Sequence, residues 1–210
     1  VHTTTSEIGV DVGIAKFAAF SDGSFVEPIN AFRKHEKKLA KAQRSLSRKK
    51  RFSNNWKKQK RIVGRIHARI ANIRRDFLHK ISTAVSNSHA TVYVENLKVS
   101  SMSRSAKGTT ENPGKNVKAK SGLNKSILDQ GWGMFREFLE YKLAWRGGQL
   151  VAVNPAYTSQ TCPECRFVSR ENRKSQSKFE CCSCGYSNNA DTVGAINVLR
   201  AGQAHCGAQE

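Results

Sequence analysis

Apolar and polar positions change rhythm several times along this chain, and each change predicts an element. From Glu7 the run Ile8-Gly9-Val10-Asp11-Val12-Gly13 alternates apolar with small or polar residues, the period of two expected of a strand. Phe17-Ala18-Ala19-Phe20 leads to the turn signal Ser21-Asp22-Gly23 and then to Ser24-Phe25-Val26, which predicts an antiparallel meander. Farther on, Ile62, Ile66, Ile70, Ile73, Phe77 and Ile81 recur every three or four positions, the spacing of an amphipathic helix. Ala90-Thr91-Val92-Tyr93-Val94 reads as a short buried strand ending at Glu95-Asn96-Leu97.

Ser100 to Ser121 is rich in Ser, Gly, Lys and Thr, contains Pro113-Gly114 and has no period, so a flexible loop or lid is expected there. Trp132, Phe135, Phe138, Leu139 and Leu143 then resume a helical stripe that Gly147-Gly148 stops, and Leu150-Val151-Ala152-Val153 supplies another strand. Asp191 to Arg200 reads as a closing helix with Val193, Ile196, Val198 and Leu199 on its apolar side. Three strands, helices, strand, helix, strand, a cysteine block and a helix is the order that an RNase H-like α/β fold needs. The expected class is therefore α/β: an RNase H-like (RuvC) mixed sheet with flanking helices and an inserted four-cysteine zinc ribbon. The expected division is a core over 1–156 with a basic helical insertion at about 33–88, a zinc ribbon over 157–187, and a closing helix and tail over 188–210.

Charge narrows the partners. The chain has 210 residues and a formal net charge of +20, far more than solubility needs, which points to a polyanion and above all to nucleic acid. A membrane surface also attracts basic chains, but no run of about 18 apolar residues and no signal peptide appears, so neither a membrane nor a small-molecule substrate is expected. The chain is expected to be soluble and intracellular. Val1 to Glu7 reads as a chain entered mid-sequence, with a strand-like segment following at once.

Cys162-Pro-Glu-Cys165 and Cys181-Cys-Ser-Cys184 form two C-x2-C knuckles separated by residues 166 to 180, a spacing suited to a zinc ribbon. Each knuckle turns two thiolates toward one ion, and a hairpin between them completes a tetrahedron at about 2.3 Å per sulfur. A disulfide framework is the alternative, and an intracellular basic chain disfavours it. Choosing Cys182 in place of its neighbour would break the symmetric spacing, which leaves Cys182 a spare thiol; Cys206, in the polar tail, reads as a free cysteine. Four thiolates leave no open position, so the zinc is expected to be structural.

Three acids stand out in a chain with 16 Asp and Glu against 36 Lys and Arg. Asp11 lies within the first strand, Glu95 ends a later one, and Asp191 begins the last helix. Converging strand ends with a helix laid across them can gather three carboxylates around Mg²⁺ or Mn²⁺ for phosphodiester hydrolysis. Each also has an ordinary reading: a buried turn acid, a solvated strand end, and a helix-start residue favoured by the dipole. Asp11 resists its ordinary reading most, because a carboxylate between valines in a core strand is costly unless it binds something.

With these residues in view the sequence resembles the C-terminal part of the TnpB/OrfB family of insertion-sequence proteins, relatives of type V CRISPR effectors. Gly9-Val10-Asp11-Val12-Gly13, Val94-Glu95-Asn96-Leu97 and Asn189-Ala190-Asp191 through Ala195-Ile196-Asn197 resemble the three RuvC motifs. Leu46-Ser47-Arg48-Lys49, Asp76-Phe77-Leu78-His79-Lys80, Gly131-Trp132-Gly133 and Tyr157-Thr158-Ser159-Gln160-Thr161-Cys162 are also typical of it. The resemblance implies a RuvC-type nuclease that cuts DNA selected by a transposon-derived guide RNA, with Asp11, Glu95 and Asp191 as ligands of Mg²⁺ or Mn²⁺. Members carry a larger N-terminal region that binds the guide scaffold and reads a motif beside the target. Nothing here corresponds to that region, so the alternative expectation is a truncated, non-catalytic nucleic-acid-binding remnant. A ribosomal or transcription zinc-ribbon protein explains the cysteines and charge but gives Asp11 and Asp191 no purpose.

The Arg33 to Lys80 stretch has the charge to track a phosphate backbone with steep salt dependence; otherwise it is a solvated helix pair. Trp56 either stacks on a base or plugs the helix interface, and the plug is favoured. Lys115, Lys118, Lys120 and Lys125 either clamp a strand or lie in disorder.

Overall fold

The computed structural model describes residues 2–207; Val1 and the last three positions of the expected tail lie outside them. A five-stranded sheet runs in the order β3-β2-β1-β4-β5, built from β1 (Glu7–Val12), β2 (Ala18–Phe20), β3 (Phe25–Val26), β4 (Thr91–Glu95) and β5 (Gln149–Val153). The first three strands form the predicted antiparallel meander. Its tight turn is locked where Asp22 Oδ1 accepts the Ser24 N–H at 2.8 Å, an Asx turn of the type that short polar side chains favour. β4 pairs parallel with both β1 and β5, so the sheet is mixed. This arrangement, with helices α5 (Trp132–Trp145) and α6 (Ala190–Gly207) beside it, is the RNase H-like fold that the element order predicts.

The chain divides into two compact units. Among the described residues the first gathers 2–28, 81–99 and 132–207. Its strands β1 and β4 are apolar and buried at Ile8, Val10, Val92 and Val94. On α5, Trp132, Phe135, Leu139 and Leu143 bury one face at the three-and-four spacing of a helix stripe. That helix ends where the Gly148 N–H donates to Leu143 O at 2.9 Å and Gly147 turns left-handed, φ 71°, a glycine C-cap of the Schellman kind.

The second unit gathers residues 29–80 and 100–131. Helix α1 (Ala31–Ser47) and the first part of α2 (Asn54–Ser88) bury Ala31, Leu39, Ala42, Ile66 and Ile70 against one another. The loop expected over 100–121 is irregular from 103 to 116 and helical at its two ends. The segment after Val99 begins with a short helix, α3 (Val99–Met102), and from Val117 it forms α4 (Val117–Gln130). The fixed point of α4 is polar: Asp129, buried, accepts the backbone N–H groups of Phe32 at 2.9 Å and Arg33 at 3.2 Å and pairs with Arg74 at 2.9 Å. It thereby satisfies the open N–H groups at the start of α1. Among the loop lysines, Lys120 donates to Met102 O at 2.5 Å and Lys125 pairs with Glu36 at 2.9 Å, so these two are held by their own unit. Among the described residues no helix is long and apolar enough to cross a membrane.

Candidate active site and cysteine cluster

Helix α6 lies against β1 because glycines on both elements remove the side chains that would separate them. A methyl group at Gly9 would sit 2.2 Å from Ala195 O, and one at Gly194 would sit 2.6 Å from Asp11 Oδ2. Only glycine permits that approach, and it brings the first turn of α6 to the carboxylate of Asp11. That turn is capped by Asn189, whose Oδ1 accepts the N–H groups of Asp191 at 2.9 Å and Thr192 at 3.4 Å. Asp191 is therefore not the cap, and its carboxylate faces the site.

The three predicted acids share one neighbourhood. Burial first, then the charges of Glu95 and Asp191, pushes the Asp11 carboxyl up to about 8, against a smaller opposing pull from Arg173. Burial also raises Glu95, opposed by a hydrogen bond from Thr158 and by Arg173. Burial raises Asp191 in turn, opposed by Arg173 and Lys16. Desolvation disfavours each carboxylate, and at Asp11 like charge adds to it, so the cluster is short of positive charge. It is also looser than a closed ligand cage: among the described residues, the group of candidate ligands gathered within 4.8 Å of one another is the cysteine set.

Side chains that sequence reasoning left without roles position this cluster. Thr158 Oγ1 donates to Glu95 Oε1 at 2.5 Å. Asn197 on α6 holds the loop bearing that threonine, donating to Thr158 O at 2.8 Å and Thr161 O at 2.7 Å. Arg173 donates to Asp191 Oδ1 at 3.4 Å. Thr158 and Asn197 fall within the family-like segments, but only the fold reveals their partners. Arg173 has no local signal beyond its place between the cysteine pairs.

Cys162, Cys165, Cys181 and Cys184 converge as their spacing predicts, with all four sulfurs within 4.8 Å of one another. Two contacts cross between the knuckles, Cys162 to Cys184 at 3.6 Å and Cys165 to Cys181 at 3.5 Å. A tetrahedral site with bonds of about 2.3 Å has edges of about 3.8 Å, so the set fits a metal ion. β6 (Lys178–Glu180) and β7 (Ser187–Asn189) form a hairpin that carries the second knuckle in its turn, and Gly185 there is left-handed, φ 76°; the first knuckle is bracketed by the Thr161–Val168 bridge. Burial works against the Cys181 thiolate, yet the N–H groups of Cys184 and Ser183 lower its pKa below the usual thiol range. Cys182 points away and donates through Sγ to Asn172 Oδ1 at 3.1 Å, consistent with its reading as a spare thiol. Cys206 is half-buried beside Tyr93 and Val198.

The chain is similar to known proteins in sequence and in fold. Residues 1–106 match the OrfB_IS605 family model, described as "Probable transposase", and residues 132–198 match the "Cas12f1-like, TNB domain". The chain is 60% identical over 204 residues to "Putative RNA-guided DNA endonuclease InsQ" of Escherichia coli (strain K12), covering 97% of this chain and 51% of that protein. It is 36% identical to "Putative RNA-guided DNA endonuclease" of Streptomyces pristinaespiralis, covering 96% of this chain and 46% of that one. The chain thus spans about half the length of these relatives. A cryo-EM structure of a Cas12f ternary complex superposes with a TM-score of 0.60 at 21% identity, covering 95% of this chain and 40% of that one. A Cas12f1–guide RNA–target DNA complex gives 0.59 at 20% identity, covering 91% and 49%, and at such identity both similarities concern the fold. The sheet, the cysteine cluster and the family model over residues 1–106 together establish that the chain belongs to the OrfB_IS605 family, the TnpB/OrfB-like group related to Cas12f1.

Proposed function

We propose that this chain is the catalytic portion of an RNA-guided DNA endonuclease of transposon origin. It would hydrolyse phosphodiester bonds at Asp11, Glu95 and Asp191, which would hold Mg²⁺ or Mn²⁺. Cys162, Cys165, Cys181 and Cys184 would hold a structural Zn²⁺. The observation that carries this reading is the approach of carboxylates from β1, β4 and α6, in which buried Asp11 feels the charges of Glu95 and Asp191 and its carboxyl is pushed up to about 8 by burial first and by those charges second. Such a cluster gains most from a cation placed among its members. Its donors are all carboxylate oxygens, which suit a hard ion, whereas four thiolates suit zinc.

When bound, the hard ions supply a water activated for attack and a charge opposite the leaving oxygen. The chain's own residues do the rest. Thr158 fixes which oxygen of Glu95 is free, Asn197 fixes Thr158, and the Asn189 cap leaves the Asp191 carboxylate available. Arg173 partly offsets the charge of the acids, and its guanidinium would be suited to take a phosphate oxygen. The names of the relatives and the net charge of +20 support target DNA and guide RNA as partners, and with them a place in the bacterial cytoplasm beside the nucleoid.

The test is cleavage of labelled single-stranded DNA in Mg²⁺ or Mn²⁺ by the chain and by its Asp11→Ala, Glu95→Ala and Asp191→Ala variants. Cutting by the parent that every variant loses is the expected result. Cutting that survives all three substitutions, or zinc-loaded parent that binds DNA and never cuts it, would overturn the nuclease reading.

A further inference from the structure

The turn joining α1 to α2 carries an aromatic side chain where backbone geometry asks for none. Phe52 has φ 66°, the left-handed region that glycine or asparagine enters at least cost. The turn around it is closed by the Ser53 N–H to Lys50 O at 3.1 Å. Ser53 then caps α2 by accepting the Trp56 N–H at 3.2 Å, so the backbone is held in place around Phe52. Burial does not offset the strain, because Phe52 is 65% exposed. Outliers of this kind concentrate at binding sites, where the conformation serves the ligand.

The surroundings specify the ligand. The Arg51 guanidinium lies over the Phe52 ring at 4.9 Å, Phe52 and Trp56 are tilted against each other at 5.5 Å, and Lys60 lies over Trp56 at 5.2 Å. From Lys37 to Arg75 the sequence holds sixteen lysines and arginines and no acid. A protein partner would meet this surface only with a strongly acidic face. A nucleic acid supplies both halves of what is displayed, phosphates for the cations and a base for the exposed ring. We infer that the α1–α2 tip is a nucleic-acid docking site in which Arg48, Lys49, Lys50 and Arg51 grip phosphates while Phe52, braced by Trp56, stacks on an unpaired base. The inference deepens the proposed function by giving its polyanionic partner a contact remote in sequence from the acids, and it rests on that reading only for the partner's origin. Unpaired bases occur in folded RNA and in displaced DNA strands alike, and both offer this chemistry.

The experiment measures equilibrium binding of the full, zinc-loaded chain to fluorescent oligonucleotides without added Mg²⁺ or Mn²⁺, so that cleavage plays no part. RNA and DNA strands of one sequence are compared with strands of equal charge carrying abasic positions, for the parent and for Phe52→Gly and Phe52→Tyr. Glycine suits the turn, so Phe52→Gly keeps or raises the melting temperature. It is expected to bind base-bearing strands roughly fivefold to a hundredfold more weakly, with its affinity for abasic strands and its salt dependence unchanged, while Phe52→Tyr binds like the parent. Loss with RNA alone or DNA alone names the strand that docks. Unchanged binding of base-bearing strands by Phe52→Gly, or an equal loss on abasic ones, overturns the inference, and neither result bears on whether the acids cut.

Discussion

The cysteine cluster and the acidic cluster belong to the same compact unit, yet they are built on opposite plans. Four thiols from two knuckles are drawn within 4.8 Å of one another. Carboxylates from β1, β4 and α6 share one neighbourhood, where burial raises each of them and Glu95 and Asp191 raise Asp11 further. A structural site gains by closing around its ion, since ion binding is then folding free energy. A hydrolytic site, which is the role proposed for the acids, needs room for water and substrate and so would be left open. The two are also joined, because Thr158 and Arg173, which attend the acids, come from the segment that the cysteines and Asn197 hold in place.

This contrast breaks most sharply at the acids. Asp11→Ala is expected to reduce DNA cleavage at least about a thousandfold, several kcal/mol of transition-state stabilisation, with zinc content unchanged by metal analysis. Cys162→Ser or Cys181→Ser should do the reverse in order of cause: zinc is lost first, the melting temperature drops, and cleavage falls with it, whereas Cys182→Ser retains one zinc per chain. Equal zinc loss in all three serine variants would refute the division between ligands and spare thiol. A subtler cut is Thr158→Val, which preserves volume and removes the bond to Glu95. We expect about a tenfold loss of kcat, the scale of losing an outer partner of a metal ligand, with zinc and melting temperature held. An unchanged kcat would make Thr158 merely structural.

The smallest effect is on stability. Because the Asp11 carboxyl is raised in the folded chain to about 8 from an ordinary 3.8, the fold holds a proton that the unfolded chain releases. Stability is therefore fullest below pH about 4 and declines as pH rises toward about 8. Without added Mg²⁺ or Mn²⁺, the parent should lose more than about 1 kcal/mol between pH 5 and pH 8 relative to Asp11→Asn, measured by denaturant unfolding at both pH values. Identical pH dependence in the two chains would contradict the strained cluster.

What the sequence displayed and what it hid follow from the same physics. The meander, β4, β5, the α5 stripe and the cysteine knuckles depend on neighbours in sequence, so alternation, helical spacing and C-x2-C spacing reveal them. Helix α4 escaped because its anchor is not an apolar stripe but the buried Asp129, whose partners Phe32, Arg33 and Arg74 lie far away in the chain. The acids were nameable as candidates and, by resemblance, as a set, but Thr158, Asn197 and Arg173 act through contacts that exist only once α6 rests on β1. Glycine 9 and glycine 194 carry that approach, and nothing in local composition marks them as the reason.

The most direct test of two distinct metal sites is a Mn²⁺ titration of the zinc-loaded chain followed by electron paramagnetic resonance, with zinc measured in the same samples for the parent and Asp11→Asn. The account predicts Mn²⁺ binding that tightens as pH rises toward about 8, collapses in Asp11→Asn, and leaves one zinc per chain in both. Mn²⁺ binding equal in the two proteins, or Mn²⁺ gained only as zinc is lost, would contradict it.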